Sequence, residues 1–307
     1  MLGFTRRMLT LITGATVLTS ACSASHQASQ LPGDDAAGAV AAGGSTGTAG
    51  GSENGGQAAR AAQPLKWEQA MPIESGQADP YDAQVATDRD GNGWVAWSQN
   101  SGARNEVRAR AYSASTASWA DEQVIDGGSG TALQDSNGNV SSSPPLRLRV
   151  ASNGFAAVTW LDDTPGIYRS GIPHVSILDP KSGTWTATLL SDQSATVFRA
   201  GVGEDGTVVV AWGSAMGLMV RSFSLGVWGN AVSLSTDQVS DLGDPAVDNM
   251  GLGTIIWGTA TEVLTTRGRA DSWDAIASLS NLTSAVSSAR VVLTPSGCRR
   301  ASISAGI

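Results

Sequence analysis

A phrase of seven residues, which begins with glycine and ends with tryptophan, occurs four times in this chain. Two residues before each tryptophan stands a β-branched residue, so both side chains project from the same face of an extended strand. The four copies therefore predict one type of strand that is repeated along the chain. They are Gly91 to Trp97, Gly154 to Trp160, Gly206 to Trp212 and Gly251 to Trp257.

A second series of tryptophans alternates with the first, and each of its members opens a short segment in which apolar and polar residues alternate. A further alternating segment lies between the two tryptophans of each unit, as in residues 107 to 113. Each unit therefore contains about four strands, and no sustained helical period occurs from residue 66 onward. The second series comprises Trp67, Trp119, Trp185, Trp228 and Trp273.

Four-stranded antiparallel units in tandem predict an all-β fold, namely a β-propeller of about five blades with a short last blade. Trp67 lies in an unpaired strand, residues 66–73, which we expect to complete the last blade and so protect its edge. The tryptophans of both series are expected to pack in the core rather than to stack on sugars. The predicted units are about 81–125, 146–190, 198–235, 243–279 and a partial unit at 288–307, with a loop insertion at 127–145.

The last unit departs from the repeat in composition. Counting six residues on from Gly297 leads to Ile303, where the other units have tryptophan. We expect either a short fifth blade or a reading frame lost near Cys298, which would leave a truncated product without function.

Phrases such as DRDGNGWVAWSQ resemble the degenerate blades of bacterial secreted and lipid-anchored propeller proteins, and distantly those of the sialidase and kelch classes. Gly183, Thr184 and Trp185 fit only the tail of the sialidase Asp-box. The segment from Leu178 to Trp185 is similar to the end of a kelch repeat, but the diglycine strand of that repeat is absent. The resemblance implies a propeller and does not select an activity.

The first 21 residues have the layout of an export signal, because Arg6 and Arg7 precede an apolar run that is too short to span a bilayer. The segment from Ser20 to Cys22 resembles the end of a bacterial lipoprotein signal. That resemblance implies a lipidated Cys22, carrying palmitate, as the mature N-terminus, and Ser23 implies an outer-membrane destination. An ordinary secretory signal with an incidental cysteine is the alternative.

Residues 22–64 are rich in alanine, glycine and serine and predict a flexible tether, because such a segment cannot offset its ordering entropy. A folded head from residue 65 would then be held at the cell envelope by its lipid. The net charge is −8, which disfavours nucleic acid and anionic lipid surfaces as partners. With Cys22 lipidated, Cys298 would have no partner for an intramolecular disulfide.

One turn has the spacing of a calcium loop. Asp88, Asp90 and Asn92 precede Gly93, but Gln99 stands where a bidentate acid is expected. An ordinary Asp/Asn/Gly hairpin turn explains the same residues. Calcium is the one cofactor that the sequence suggests.

No catalytic residue is assigned from the sequence. Sugar hydrolysis requires two placed carboxylates, and the candidate acids lie at strand ends and turns, where acids are usually solvated. Trp94 stands outside both tryptophan series, and we expect it to be exposed and available for binding. His174 is the one histidine outside the tether, which leaves no catalytic triad or histidine metal site. The candidate acids are Asp162, Asp163, Glu204, Asp205, Asp241 and Asp244, and the tyrosines are Tyr81, Tyr112 and Tyr168.

These observations favour a lipid-anchored binding or scaffolding module of the cell envelope, with a protein or a polysaccharide as its ligand. The alternative is a glycan-processing hydrolase on a five-bladed propeller. Three carboxylates converging on the central channel would favour the enzyme.

Overall fold

The computed structural model describes nine stretches of the chain: residues 16–21, 72–74, 80–101, 105–128, 146–163, 170–214, 216–281, 286–293 and 299–305. The chain divides into two units, one formed by residues 1–22 with 73–307 and the other by residues 23–72. Only Pro72 of the second unit is described. All the strands belong to the first unit.

Over the described residues the chain forms β-strands and no helix, which confirms the predicted all-β class. In these residues there is accordingly no helix with the length and apolar character needed to cross a membrane. The strands in chain order are β1 (Thr16–Ala21), β2 (Pro80–Thr87), β3 (Gly93–Asn100), β4 (Asn105–Ser113), β5 (Ser118–Trp119), β6 (Gln123–Val124), β7 (Arg147–Val150), β8 (Ala156–Asp163), β9 (Gly171–Asp179), β10 (Thr184–Leu189), β11 (Val197–Val202), β12 (Val208–Ser214), β13 (Gly217–Ser224), β14 (Val227–Trp228), β15 (Val232–Ser235), β16 (Asp241–Leu242), β17 (Ala246–Val247), β18 (Gly253–Gly258), β19 (Glu262–Arg269), β20 (Ser272–Trp273), β21 (Ala277–Asn281), β22 (Val286–Leu293) and β23 (Arg299–Ala305).

These strands form five antiparallel sheets, and consecutive segments of the chain build them in turn. Four sheets are meanders made of β2 to β6, β7 to β10, β11 to β15 and β16 to β21. The fifth contains β22 and β23, with β1 as its third strand. Each copy of the Gly-to-Trp phrase supplies the second strand of its sheet, as the sequence predicts.

The hairpin before each Gly-to-Trp strand has one repeated geometry. In the first sheet the Asp88 amide donates to the Asn92 carbonyl at 3.0 Å, and the Gly91 amide donates back to the Asp88 carbonyl at 3.4 Å. Gly91 has φ +82°, and the corresponding glycines of the next three sheets have φ between +76° and +90°. Glycine adopts such angles without the strain that a β-carbon would cause, which explains why glycine recurs at the start of each phrase.

The hydrophobic core lies between neighbouring sheets rather than inside one of them. Trp160 and Trp257 are fully buried, and Trp97 and Trp212 are 2% and 3% exposed. Three clusters join the first sheet to the second, the second to the third, and the third to the fourth. The first tryptophan series is therefore core packing, as predicted.

The first strands of successive sheets lie side by side in a series. β2 contacts β7, β7 contacts β11, β11 contacts β16 and β17, and both of these contact β22. Antiparallel sheets that pack face to face with their first strands adjacent make a β-propeller-like fold. The first strands are its innermost strands, and they position the candidate site.

The fifth sheet has a third strand that the sequence did not predict. β1 pairs with β23 along its whole length, so that Val17 is opposite Ile303. Residues 66–71, predicted to complete this sheet, lie outside the described residues, as does Trp67. At the described end of that segment, the Ile73 carbonyl accepts a hydrogen bond of 2.6 Å from Arg110 on β4 of the first sheet. Completion of the fifth sheet by residues 66–73 stays a prediction.

The prediction that Trp94 is exposed is wrong. Trp94 is only 7% exposed, because the face of β3 that carries it packs on Leu148 and Trp160 of the second sheet. On the neighbouring strand β4, Arg108 is half-buried and paired with Glu106 and Glu122.

Candidate functional site

Three arginines lie on β7 and β11, the first strands of the second and third sheets. The repeated packing does not require a charged residue at these positions. Arg147 and Arg149 flank the buried Leu148 on β7, so both project from the face opposite to it. Arg199 on β11 lies in the same way between the buried residues Phe198 and Ala200. The alternation of side chains places these guanidinium groups away from the core cluster to which their neighbours belong.

Asp244 connects two of these arginines. It lies between β16 and β17, and one of its carboxylate oxygens pairs with Arg149 Nη2. Its other oxygen lies 3.7 Å from Arg199 Nε. The backbone here is close to β11, because a β-carbon on Gly201 would overlap the carbonyl oxygen of Pro245. This close approach holds Asp244 against the arginines of the two preceding sheets.

The cluster concentrates positive charge in a partly buried place. Burial lowers the pKa of the Arg199 guanidinium, Arg147 and Arg149 lower it further, and Asp244 and Asp241 oppose the shift. In addition, Arg147 Nε is buried and makes no hydrogen bond within the described part of the chain. An anionic group would satisfy this donor and reduce the repulsion among the arginines.

Asp82 on β2 faces Arg147 from the first sheet. Burial raises the pKa of this carboxyl to about 6, although the charge of Arg147 acts in the opposite direction. Its Oδ2 is buried without a hydrogen-bond partner among the described residues. A carboxyl group that keeps its proton up to about pH 6 can act as a general acid near neutral pH.

The backbone at Asp82 is strained. Asp82 has φ +54°, and the pairing of β2 with β3 shifts register between Tyr81 and Gln84, which is a bulge in the strand. Bulges and left-handed non-glycine residues occur at functional sites, where they redirect a side chain. The bulge turns Asp82 out of the ladder and towards Arg147.

Asp241 and Asp244 were among the candidate acids predicted from the sequence, whereas Asp82 and the three arginines were not. A signal for some of them was present, because Arg147, Arg199 and Asp244 each precede the turn glycine of their unit by seven residues. In the first unit that position is Gln84. Aligning the units on the turn glycine would have shown a variable polar position in an otherwise apolar strand.

The predicted calcium residues lie together in the hairpin between β2 and β3. Asp88 Oδ1 accepts hydrogen bonds from the amides of Asp90 and Asn92 at 2.9 and 2.8 Å, and Asp88 Oδ2 accepts from the side-chain amide of Asn92 at 2.8 Å. Gln99, at the position where a calcium loop has its bidentate acid, is engaged elsewhere. Its side-chain oxygen accepts a hydrogen bond from Trp97 Nε1 on β3. In the fourth sheet Asp248 makes the equivalent bonds to Met250 and Leu252. Calcium binding stays a prediction.

Three of the other candidate acids, Asp162, Glu204 and Asp205, have partners outside the cluster of Asp82, Asp244 and the arginines. Glu204 accepts a hydrogen bond from the Ser152 hydroxyl, and Asp205 caps its own turn at Thr207. Asp162 lies 3.7 Å from Nε2 of His174, whose ring stacks on Trp160. These acids therefore have structural partners in turns and between strands.

The second tryptophan series is half-buried where it is described. Trp119 packs on Tyr112, and Trp228 packs in the same way on Phe223, with ring centroids 5.3 Å apart in both pairs. Arg221 lies 5.3 Å from the ring centroid of Trp228. These contacts repeat from sheet to sheet and stabilise the outer edges. Cys22, the predicted lipidation site, lies outside the described residues.

No family model and no curated protein matches this chain. Solved structures similar to it include the polysaccharide lyase Uly1, with 13% identity, 73% of this chain and 57% of that chain covered, and a TM-score of 0.40. Another is the Hadza microbial sialidase Hz136, with 10% identity, coverage of 69% and 50%, and a TM-score of 0.36. A third is a putative glycosidase from Bacteroides thetaiotaomicron, with 11% identity, coverage of 75% and 87%, and a TM-score of 0.36.

The chain thus spans about half the length of the first two of these proteins. All three are described as glycan-processing enzymes, which is contrary to the predicted binding or scaffolding module, and that prediction is withdrawn as wrong. At these levels of identity and TM-score the similarity assigns no activity to this chain.

Proposed function

We propose that this protein is a glycan-processing enzyme whose active site is the cluster of Asp82, Arg147, Arg149, Arg199 and Asp244. The observation that carries the proposal is Asp82. It combines a pKa of about 6, a buried oxygen without a partner and a strained backbone on an innermost strand. Such a combination is characteristic of catalytic acids rather than of structural carboxylates.

In the proposed reaction, protonated Asp82 donates its proton to the glycosidic oxygen as the bond to the leaving sugar breaks. Hydrolysis also needs a second carboxylate, which either deprotonates the water that bonds to the anomeric carbon or first bonds to that carbon itself and is then displaced by water, and the cluster offers Asp241 and Asp244. Asp244 forms ion pairs with Arg149 and Arg199, which hold its side chain in place. The arginines would bind an acidic sugar through its carboxylate, since Arg147 retains an unpaired donor.

The test uses acidic polysaccharides such as pectate, hyaluronan and alginate, with the release of reducing ends as the readout. We expect activity on at least one of them, and a loss of about 100-fold or more in Asp82→Asn. Asp90→Asn is the matched control, because it removes an exposed carboxylate from the same sheet. Undiminished activity in the Asp82 variant, or no release from any acidic substrate, would refute the proposal.

The scaffold that we propose for this site is a closed ring of five sheets. The series of contacts from β2 through β7, β11, β16 and β17 to β22 supports it, and adjacency of β22 and β2 would close the ring. An experimental structure with an open arc of sheets would contradict closure.

We also propose that Cys22 is lipidated and holds the enzyme at the cell envelope, on the resemblance of its signal to those of lipoproteins. Labelling of cells with a palmitate analogue is the test. The label should be incorporated by the native protein and lost in Cys22→Ala; equal labelling of both would refute the anchor.

A further inference from the structure

A cavity lies between the first two sheets, apart from the charged cluster. It has a volume of about 330 Å³, which is within the range of small-ligand pockets. Trp94 and Gln123 line it from the first sheet, and Asn153 and Trp185 from the second. None of the residues of the charged cluster contributes to it. We call this cavity the Trp94 pocket.

Trp94 lines this pocket, and its indole N–H is unsatisfied, as are the indole N–H groups of the core residues Trp160 and Trp257. The Trp94 side chain is 7% exposed, and its indole Nε1 is buried with no hydrogen-bond acceptor among the described residues. Buried tryptophans usually pair this N–H group, because leaving it unpaired costs free energy. A ligand oxygen would supply the missing acceptor.

Two of the charged groups that line the pocket, Asp88 and Arg110, are already paired with protein groups, and the third, Asp90, is largely exposed. Asp88 accepts hydrogen bonds from its own turn. Arg110 donates to the carbonyls of Ala120 and Ile73 at 2.7 and 2.6 Å. A charged ligand would therefore have to compete with these bonds, whereas a neutral ligand would not.

The remaining features fit a neutral sugar. Trp185 is half-buried and offers part of its ring for stacking, and Gln123 is exposed with an amide that can both donate and accept. The apolar C–H groups of a sugar ring can stack on Trp185, and its hydroxyl groups can form hydrogen bonds with Gln123. A hydroxyl oxygen can also accept a hydrogen bond from Trp94 Nε1. We propose that the Trp94 pocket binds one neutral hexose unit, independently of the proposed active site.

Saturation-transfer NMR with the methyl glycosides of glucose, galactose, mannose and N-acetylglucosamine tests this proposal on the full chain. At least one of them should bind with a millimolar or lower Kd. Ala120→Arg fills the exposed rim of the pocket and should weaken that binding about 10-fold or more. Trp94→Phe keeps the aromatic ring but removes the N–H donor, and it should weaken binding about 5-fold.

Two controls separate this pocket from other sites. Trp228→Phe alters the equivalent tryptophan of Trp185 in the third sheet and should leave the Kd unchanged, as should Asp82→Asn in the charged cluster. Absence of binding by all four glycosides would overturn the proposal. So would binding that Ala120→Arg leaves unchanged, or binding that Asp82→Asn abolishes.

Discussion

Replacing Asp82 by asparagine provides a test of the candidate acid that needs no substrate. The folded protein raises the pKa of this carboxyl from 3.8 to about 6, so it holds the proton more tightly than the unfolded chain does. Stability must therefore fall as pH rises from 3.8 to about 6 and stay level above that. Asparagine has nearly the same shape as the neutral acid and cannot ionise, so the variant should not show this loss.

The size of the effect follows from the shift. Two pKa units correspond to about 3 kcal/mol, but Asp82 is only half-buried, and solvent screening reduces the expected value to about 1 to 1.5 kcal/mol. The variant should match the native protein near pH 4 and exceed it by that amount at pH 7. In a domain of this size that is a difference of about 2–6 °C in Tm.

Thermal unfolding followed by near-ultraviolet circular dichroism, from about pH 4 to pH 8, would measure this difference. Asp90→Asn is the control, since it removes a largely exposed carboxylate of the same sheet, and its difference from the native protein should not change with pH. If the curves of Asp82→Asn and the native protein run parallel over this range, Asp82 does not have a raised pKa and cannot be the proposed acid.

Three further substitutions test the site and its scaffold. Asp244→Asn should lower the free energy of unfolding by about 1–3 kcal/mol in denaturant titrations, because Arg149 and Arg199 lose their shared partner. Adding Arg199→Gln to this variant should restore part of the loss. If the losses of the two substitutions simply add, the pairing is contradicted. Gly201→Ala should cost about 2 kcal/mol or more, since its β-carbon would overlap the Pro245 carbonyl, whereas Gly93→Ala meets only an ordinary contact of 3.6 Å. Trp257→Ala should cost about 3–5 kcal/mol as a fully buried core residue, and a loss no larger than that of the half-buried Trp228→Ala, measured by the same titrations, would place the core elsewhere.

The repeated strands could be predicted from the sequence because their determinants are local. Each Gly-to-Trp phrase contains both the glycine with positive φ and the buried tryptophan of its strand. The spacing of these two residues therefore fixes the turn and the face of the strand together. The burial of Trp94 could not be predicted in this way, because it depends on Leu148 and Trp160 of another sheet.

The charged cluster could not be predicted from the sequence for the same reason. Arg149 and Asp244 are 95 residues apart in sequence, and only the packing of the first strands of three sheets brings them together with Arg199. Asp82 was missed because a bulge moves it out of the alternation expected for β2. A register shift of this kind has no pattern in the sequence that could reveal it.

β1 lies in the predicted export signal, so its pairing with β23 would have a structural role only until such a signal is removed. Thr16–Ala21 covers the edge of Arg299–Ala305, and it lies in the segment that cleavage before Cys22 would take away. The precursor would then keep its last sheet protected, while the exported protein would present a row of unpaired backbone groups. Such an edge can take up another strand, either residues 66–73 of the same chain or a second molecule. Signal removal would thus decide when this sheet becomes competent for strand exchange.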